Sequence, residues 1–372
     1  MQAPEPRVEE YTVGWICVVQ AEHETACQML DQVFDGPEQS NPLDENTYVF
    51  GRIHKHNVVI GRLPAGQYGT NAAAVVANDM VRSFTKLRFI LLVGIAGGAP
   101  TNDNDVRLGD VVVSVPRGTL GGVVQLDFVK RHRLANGEVY LERMGQLNSP
   151  PRVLLGAIPE VHRRRRHPKE PDRIAENMAR MADWPEYQKP AEDRLYRSDY
   201  AHQGGPNCDN CDTENLEPWS LEERTYRSRR AVAVHYGTIG SSNSLMQDVE
   251  ERDRCANDPS LKILCFETEA AGLMNTFPCL VIRGIWNYSD SHKTDAWRNY
   301  AALAAAAYAR ELLSVLKPQK VVAQPALVGL CLVNQTASSE DTLSSSREKI
   351  AGLLKEETQE AFSELKSKIL IL

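Results

Sequence analysis

Residues 89–100, FILLVGIAGGAP, open with five consecutive apolar side chains and end in a glycine cluster, the pattern of a strand buried on both faces. Immediately before it, GTNAAAVVANDMVRSF (69–84) reads as a helix opening after Gly69 with alanines on its packed face. Further upstream, TYVFGRIHKHNVVIGRL (47–63) holds two alternating runs that predict a hairpin turning at His56-Asn57. VGWICVV (13–19) is a β-branched run, followed by AEHETACQMLDQVF (21–34), where Ala26, Met29, Leu30 and Val33 recur at helical spacing. Downstream, DVVVSVP and GGVVQLDFV add two strands. Strands and helices thus alternate from residue 13 to about 150, the signature of an α/β domain.

Between about 151 and 230 the composition turns polar and proline-rich, with HRRRRH (162–167) and HQGGPNCDNCD (202–212), which predicts an insertion of loops with a helix near 172–183. Alternation resumes with AVAVHYG (231–237), KILCF (262–266), a helix through EAAGLMN, the strand CLVIRGIW (279–286) and an Ala-rich helix over about 294–316. The expected organisation is one domain over 12–316, a linker over 317–344 and an amphipathic helical tail over 345–372, in which Ile350, Leu353, Leu354, Phe362, Leu365 and Ile369 form a stripe.

The chain has 372 residues with 42 Lys+Arg against 49 Asp+Glu, a formal net charge of −7. That acidic balance argues against a general nucleic-acid binder, and 42% hydrophobic residues exclude disorder throughout. Eight cysteines, several inside apolar runs such as WICVV and KILCF, read as core residues of a reducing compartment rather than a disulfide framework. MQAPEPRVEEY lacks the pattern of a signal peptide, and the run Val321–Val333 is too short to span a bilayer. The expectation is a cytoplasmic protein with neither nucleic-acid nor membrane partners.

Ligands of open α/β sheets collect beyond the carboxyl ends of the strands. There the sequence offers Glu22 and Glu24, GQYGTN (66–71), GIAGGAP (94–100), GTIGSSN (237–243), Glu267 and Glu269, and then Asn287, Ser289 and Asp290. Glycines after strands are commonly turns, and an acidic residue opening a helix commonly complements its dipole. FETEA (266–270) says more: two carboxylates end an apolar strand, where burial is costly unless they bind something.

AGG (96–98), GTIGSSN (237–243), FETEAAG (266–272) and RGIWNYSD (283–290), in that order, resemble the nucleoside phosphorylase and nucleosidase superfamily. VHYGTIGSSNSLM, LCFETEAAGLMN and PCLVIRGIWNYSDSHK are most similar to the fungal phosphorylase-type domains often joined to NLR-like receptors. The resemblance implies a three-layer α/β/α sandwich with a central mixed sheet, a homo-oligomer, no metal and no organic cofactor. It also implies cleavage of the N-glycosidic bond of purine ribonucleosides.

By the same resemblance Asp290 is the acid at purine N7, Glu24 holds the attacking water and Glu269 accepts the ribose hydroxyls. Glu267, Thr268, Ile95, Ala96, Gly97 and Ser289 line the substrate, and Leu245 or Met246 packs on the base. Breaking this bond creates a cationic sugar and an electron-rich base, so negative oxygen near ribose and a donor at the base lower the barrier.

Phosphorolysis is the competing chemistry. It needs arginines that resembling phosphorylases carry after the first strand and before the Val-Gly, where this chain has none and Leu92 respectively, with Ile95 in place of a serine. Arg88 lies at the far end of its strand, roughly 16 Å from the ligand edge. Arg62, ending a hairpin strand, keeps that reading open. Thr268 replaces the usual Met under the ribose, which favours a third reading, a noncatalytic nucleoside-sensing or signalling module. Ser242 replaces a Gly, which strains the loop if φ there is positive.

Three further signals have blander readings. HRRRRH could serve as a nucleic-acid or nuclear-import patch but, with the acidic net charge, reads as a solvated helix face; Trp286 and Tyr288 bracket the acid motif and could line the base pocket, although Trp286 continues an apolar strand and reads at least equally as core. Cys208 and Cys211 form a CxxC with His202 six residues upstream, a start for a zinc clip in the insertion; with no second CxxC or HxxxH close by, free thiols in a surface loop are the favoured expectation.

Overall fold

In the computed structural model the described residues are 5–37, 41–205, 207–218, 230–292 and 295–329. The tail over 345–372 and most of the linker lie outside them. Twelve strands, β1 (Val13–Cys17), β2 (Gln32–Phe34), β3 (Tyr48–Ile53), β4 (His56–Arg62), β5 (Phe89–Gly98), β6 (Val111–Ser114), β7 (Val123–Gln125), β8 (Val129–Arg133), β9 (Val139–Arg143), β10 (Val234–Ser241), β11 (Ile263–Glu267) and β12 (Cys279–Asn287), occur among these residues. The helices are α1 (Gln20–Gln28), α2 (Gly69–Ser83), α3 (Arg152–Leu155), α4 (Ile158–Arg166), α5 (Arg173–Met178), α6 (Val249–Asn257), α7 (Arg298–Val315) and α8 (Pro318–Val322).

The mixed sheet runs β11-β10-β6-β12-β5-β1-β4-β3-β2, and β7 adds to β10. β5 lies at its centre, parallel to β1 on one side and β12 on the other, and Phe89, Ile90, Leu91 and Leu92 are fully buried. The strand does not turn at Gly94. It continues through Gly97 and Gly98, which pair antiparallel with Phe266 and Cys265 of β11. The ring β5-β12-β6-β10-β11 is therefore closed, so one end of the sheet curls into a small barrel. Gly97 permits this because a Cβ there would collide with the side chains of Ser289 and Asn287.

α7 packs against β12 and β5 with Ala301, Ala302, Ala304, Ala305, Ala306, Ala307 and Ala309 buried. The small side chains bring the backbones close enough that Gly284 of β12 has no room for a Cβ against the Ala301 carbonyl.

Several expectations change in detail. The β3–β4 hairpin turns at His54-Lys55, with His54 at φ 53°, because His56 is buried in β4 with its Nε2 3.2 Å from the Leu316 carbonyl. The helix expected through EAAGLMN is a single 3-10 turn, Ala270–Gly272. The exposed hairpin β8–β9, turning at Asn136-Gly137, is an element beyond those expectations, and its Asn-Gly pair is the local signal for it. The insertion carries α3, α4 and α5, two of which pack on α7. In α4, Arg163 and Arg164 pair with Glu160, Arg164 also with Glu311, and Arg165 lies 3.8 Å from Asp172. The basic run is thereby tied to this domain's own carboxylates. The start of the linker packs on the domain: Val321 and Leu327 are buried, and Leu327 N donates to the Leu87 carbonyl. Among the described residues no helix is long and apolar enough to cross a membrane.

Candidate active site

Arg283 sits in the middle of β12, 1% exposed, paired with Gly94 of β5, and its guanidinium lies against that glycine. Its Nη2 donates to Glu267 Oε2 and, at 3.2 Å, to Glu269 Oε2. Gly94 has no room for a Cβ because Arg283 Nη1 and Glu22 Oε1 both crowd that point. Three carboxylates thus surround one guanidinium, and all are at least nine-tenths buried.

Each carboxylate is held by backbone N–H groups, which is how the interior tolerates it. Glu267, at the end of β11, accepts from Glu269 N at 3.1 Å and Ala270 N at 3.0 Å, and so caps the 3-10 turn that shortens the expected helix. Glu269 accepts from Thr268 Oγ1 and, at 3.4 Å, from Gly69 N at the start of α2. Glu22, in the first turn of α1, accepts from Val18 N at 2.6 Å and Val19 N at 3.1 Å on one oxygen. Its other oxygen accepts from Ile95 N at 2.8 Å.

Burial raises the pKa of Glu22, partly offset by Arg283, and burial raises that of Glu269 against the same offset. For Arg283 burial acts to lower the pKa, but Glu267, Glu269 and Glu22 outweigh it and the net shift is upward. Fully ionised, the group carries three negative charges against one positive. It is a negative group in low dielectric, suited to a developing cation.

The two glutamates of α1 part company. Residues two apart on a helix differ by about 200° in direction. Glu24 accordingly faces the insertion, where it accepts from Gln20 Nε2 at 2.8 Å and from the Tyr187 hydroxyl. It does not join the Arg283 group.

Asp290 also lies apart. Its Oδ1 accepts from His292 N at 2.9 Å, and its Oδ2 is 3.6 Å from Arg252 Nη1 of α6. The side chains that crowd Gly97 are instead Asn287 and Ser289. Asn287 Oδ1 accepts from Ser289 N at 2.8 Å. Ser289 adopts φ 54°, and its buried hydroxyl has no hydrogen-bond partner. Ser289, Gly97, Ala96 and Ile95 therefore share one end of the sheet with Glu22, Glu267 and Glu269.

The rim comes from two exposed loops. Asn243 Oδ1 accepts from Thr70 N at 3.0 Å and Asn243 N donates to Asp127, which links the α2 entrance to the glycine-rich loop after β10. Leu245 is 69% exposed and Tyr68 63%, whereas Met246 is partly buried against the cluster that contains Phe266. Ser242 is not among the residues with positive φ, so the strain considered for that loop does not arise there. Trp286 lies under the Arg298 guanidinium, and Tyr288 is buried with its hydroxyl donating to Asp193.

The cations that phosphorolysis would call on are engaged. Arg62 Nη1 donates to Gln20, and Arg88 Nη1 donates to the Gln324 carbonyl at 2.7 Å. Two open cavities are lined by other residues than the Arg283 group: one of about 280 Å³ between β7 and the β8–β9 hairpin, and one of about 370 Å³ beneath the insertion beside Asn287 and His292.

No family model matches the chain. In sequence it is 41% identical over 320 residues, 86% of its length, to a nucleotide-binding leucine-rich repeat (NLR)-like protein of the fungus Hyaloscypha variabilis, and it spans about a third of that relative (31%). Among solved structures it is similar to the futalosine hydrolase of Helicobacter pylori, at TM-score 0.49 and 14% identity, covering 82% of this chain and 98% of that one. It is also similar to the 5′-methylthioadenosine/S-adenosylhomocysteine nucleosidase of Neisseria meningitidis, at TM-score 0.47 and 16% identity, covering 81% and 98%.

Proposed function

We propose that the Arg283 group is the centre of a nucleosidase that hydrolyses the N-glycosidic bond of purine ribonucleosides to free base and ribose. The observation that carries this reading is the surplus of buried carboxylate over cation: Glu22, Glu267 and Glu269 around Arg283. An oxocarbenium-like ribose is stabilised by that surplus, while a phosphate dianion would be repelled by it.

In this reading Glu22 takes the part expected of Glu24. Its carboxylate, fixed by Val18, Val19 and Ile95 N–H groups, orients the water and accepts its proton as the C1–N bond breaks. Glu269 accepts the ribose hydroxyls, with the Thr268 hydroxyl and Arg283 holding it in place. Asn287 and Ser289, rather than Asp290, meet the base. Asn287 accepts Ser289 N on its oxygen, so its NH₂ is the end that donates. An amide donates a hydrogen bond without transferring a proton, so the purine leaves as a hydrogen-bonded anion that takes its proton from solvent, and Glu22 returns the water's proton to solvent.

The test is to incubate the chain with adenosine, inosine and guanosine, with and without phosphate, and follow base and sugar by chromatography. Base and free ribose released at the same rate under both conditions are expected. Ribose 1-phosphate with strict phosphate dependence overturns the hydrolase, and no base in either condition leaves the noncatalytic sensing module as the better account.

A further inference from the structure

The CxxC of the insertion acquires in three dimensions the partner that its sequence neighbourhood lacks. His202 Nδ1 lies 3.3 Å from Cys211 Sγ and 3.9 Å from Cys208 Sγ. His292, from the segment after β12, brings a ring nitrogen into the same group. The ligand atoms of His202, Cys211 and His292 all lie within 4.8 Å of one another. Cys208 Sγ is also 3.7 Å from the His292 carbonyl oxygen.

These spacings can be compared with what a metal demands. With bonds of about 2.3 Å to sulfur and about 2.05 Å to nitrogen, tetrahedral angles put ligand sulfur and nitrogen about 3.6 Å apart. The two His202 distances bracket that value. The second, independent observation concerns His292. Its side chain is 4% exposed, and Nε2 is buried with no hydrogen-bond partner. A buried imidazole nitrogen left unpaired is costly unless something occupies it.

The surroundings hold this ring in one orientation. It stacks on Tyr196 at 4.2 Å between centroids and 20° between planes, and meets His202 edge to face at 5.6 Å. Asp290 Oδ2 stands 3.9 Å from His292 Nδ1, on the side away from Nε2, as the carboxylate of a carboxylate–histidine–metal arrangement would.

We propose that His202, Cys208, Cys211 and His292 form a tetrahedral zinc site that fastens the insertion to the end of β12. Two thiolates and two neutral imidazoles are a closed structural ligand set for zinc, with no position left for water. The site ties residues 202–211 to the turn over Asn287–His292, so its occupancy also steadies the residues at Gly97. This inference does not depend on the chemistry proposed for the Arg283 group.

The full chain, purified without chelator, is analysed for metals by mass spectrometry. About one zinc per chain is expected, lost in the Cys208→Ser/Cys211→Ser double variant. Asp290→Asn should retain the metal with affinity lowered about 10–100-fold. Should the cysteine variant fail to fold, the wild-type chain stripped and reloaded with cobalt(II) answers the same question. Thiolate-to-cobalt absorption with the visible bands of tetrahedral cobalt supports the site. Absence of zinc together with absence of those bands overturns it, as does zinc retained equally by His292→Ala and the double variant, because the cluster would then be only hydrogen-bonded thiols.

Discussion

Arg283 and His292 stand nine residues apart on one strand and the turn that follows it, and the groups gathered around them differ in kind. Around Arg283 every carboxylate accepts backbone N–H groups or the guanidinium, and what is left over is charge. Around His292 the partners are thiols and aromatic rings, the charge is small, and what is left over is an unpaired nitrogen. Excess charge held by fixed dipoles suits a transition state, whereas two thiols and two imidazoles gathered together, with one buried nitrogen left unpaired, suit a metal. Asp290 belongs to the second group by its contacts, although its motif suggests the first.

The sharpest way to break the first group is to remove its cation. Arg283→Met leaves three buried carboxylates without a counter-charge and should destabilise the fold by about 3–5 kcal/mol in chemical denaturation. A change below about 1 kcal/mol would mean that the carboxylates are protonated or hydrated instead.

Next in size is the contrast between Asn287 and Asp290. Asn287→Asp puts an acid where the amide stands, and base release should rise about 100-fold. Asp290→Asn should leave release within about twofold while weakening metal retention. A loss of release in Asp290→Asn with no gain in Asn287→Asp would move the base donor back to Asp290.

The smallest effect is on pH. Burial raises the pKa of Glu22 and Glu269 above the ordinary carboxylate value. In the window between the unfolded and folded values the native state binds more protons, so stability falls as pH rises. The stabilisation is complete below the ordinary value and lost as pH climbs through the raised one, by about 1.4 kcal/mol for each pH unit that separates the two values. Urea midpoints from pH 4.5 upward should show this decline, and Glu22→Gln should flatten it. Base release should move the opposite way, because Glu22 must be ionised to accept a proton.

The alternation of elements was legible because long apolar runs such as FILLV and VGWIC leave few other readings. Barrel closure was not, since it depends on Gly97 and Gly98 pairing with a strand far along the chain. FETEA announced two of the three carboxylates through the cost of burying them. Glu22 was passed over for Glu24 because residues two apart look equivalent in a sequence but face apart on a helix. Arg283 carried a signal that went unused: a lone cation inside CLVIRGIW, whose apolar neighbours require it to be paired. His292 had no local signal as a partner for Cys208 and Cys211, because only the return of β12 beneath the insertion brings it there.

The central claim is that the chemistry belongs to Glu22 in the Arg283 group, and the most direct test compares Glu22→Gln with Glu24→Gln for base release from the best of the three nucleosides, with thermal melts confirming that both fold. Release is expected to fall by about 10²–10⁴ in Glu22→Gln and to stay within about twofold of wild type in Glu24→Gln. The reverse pattern, Glu24→Gln inactive and Glu22→Gln active, would contradict the account.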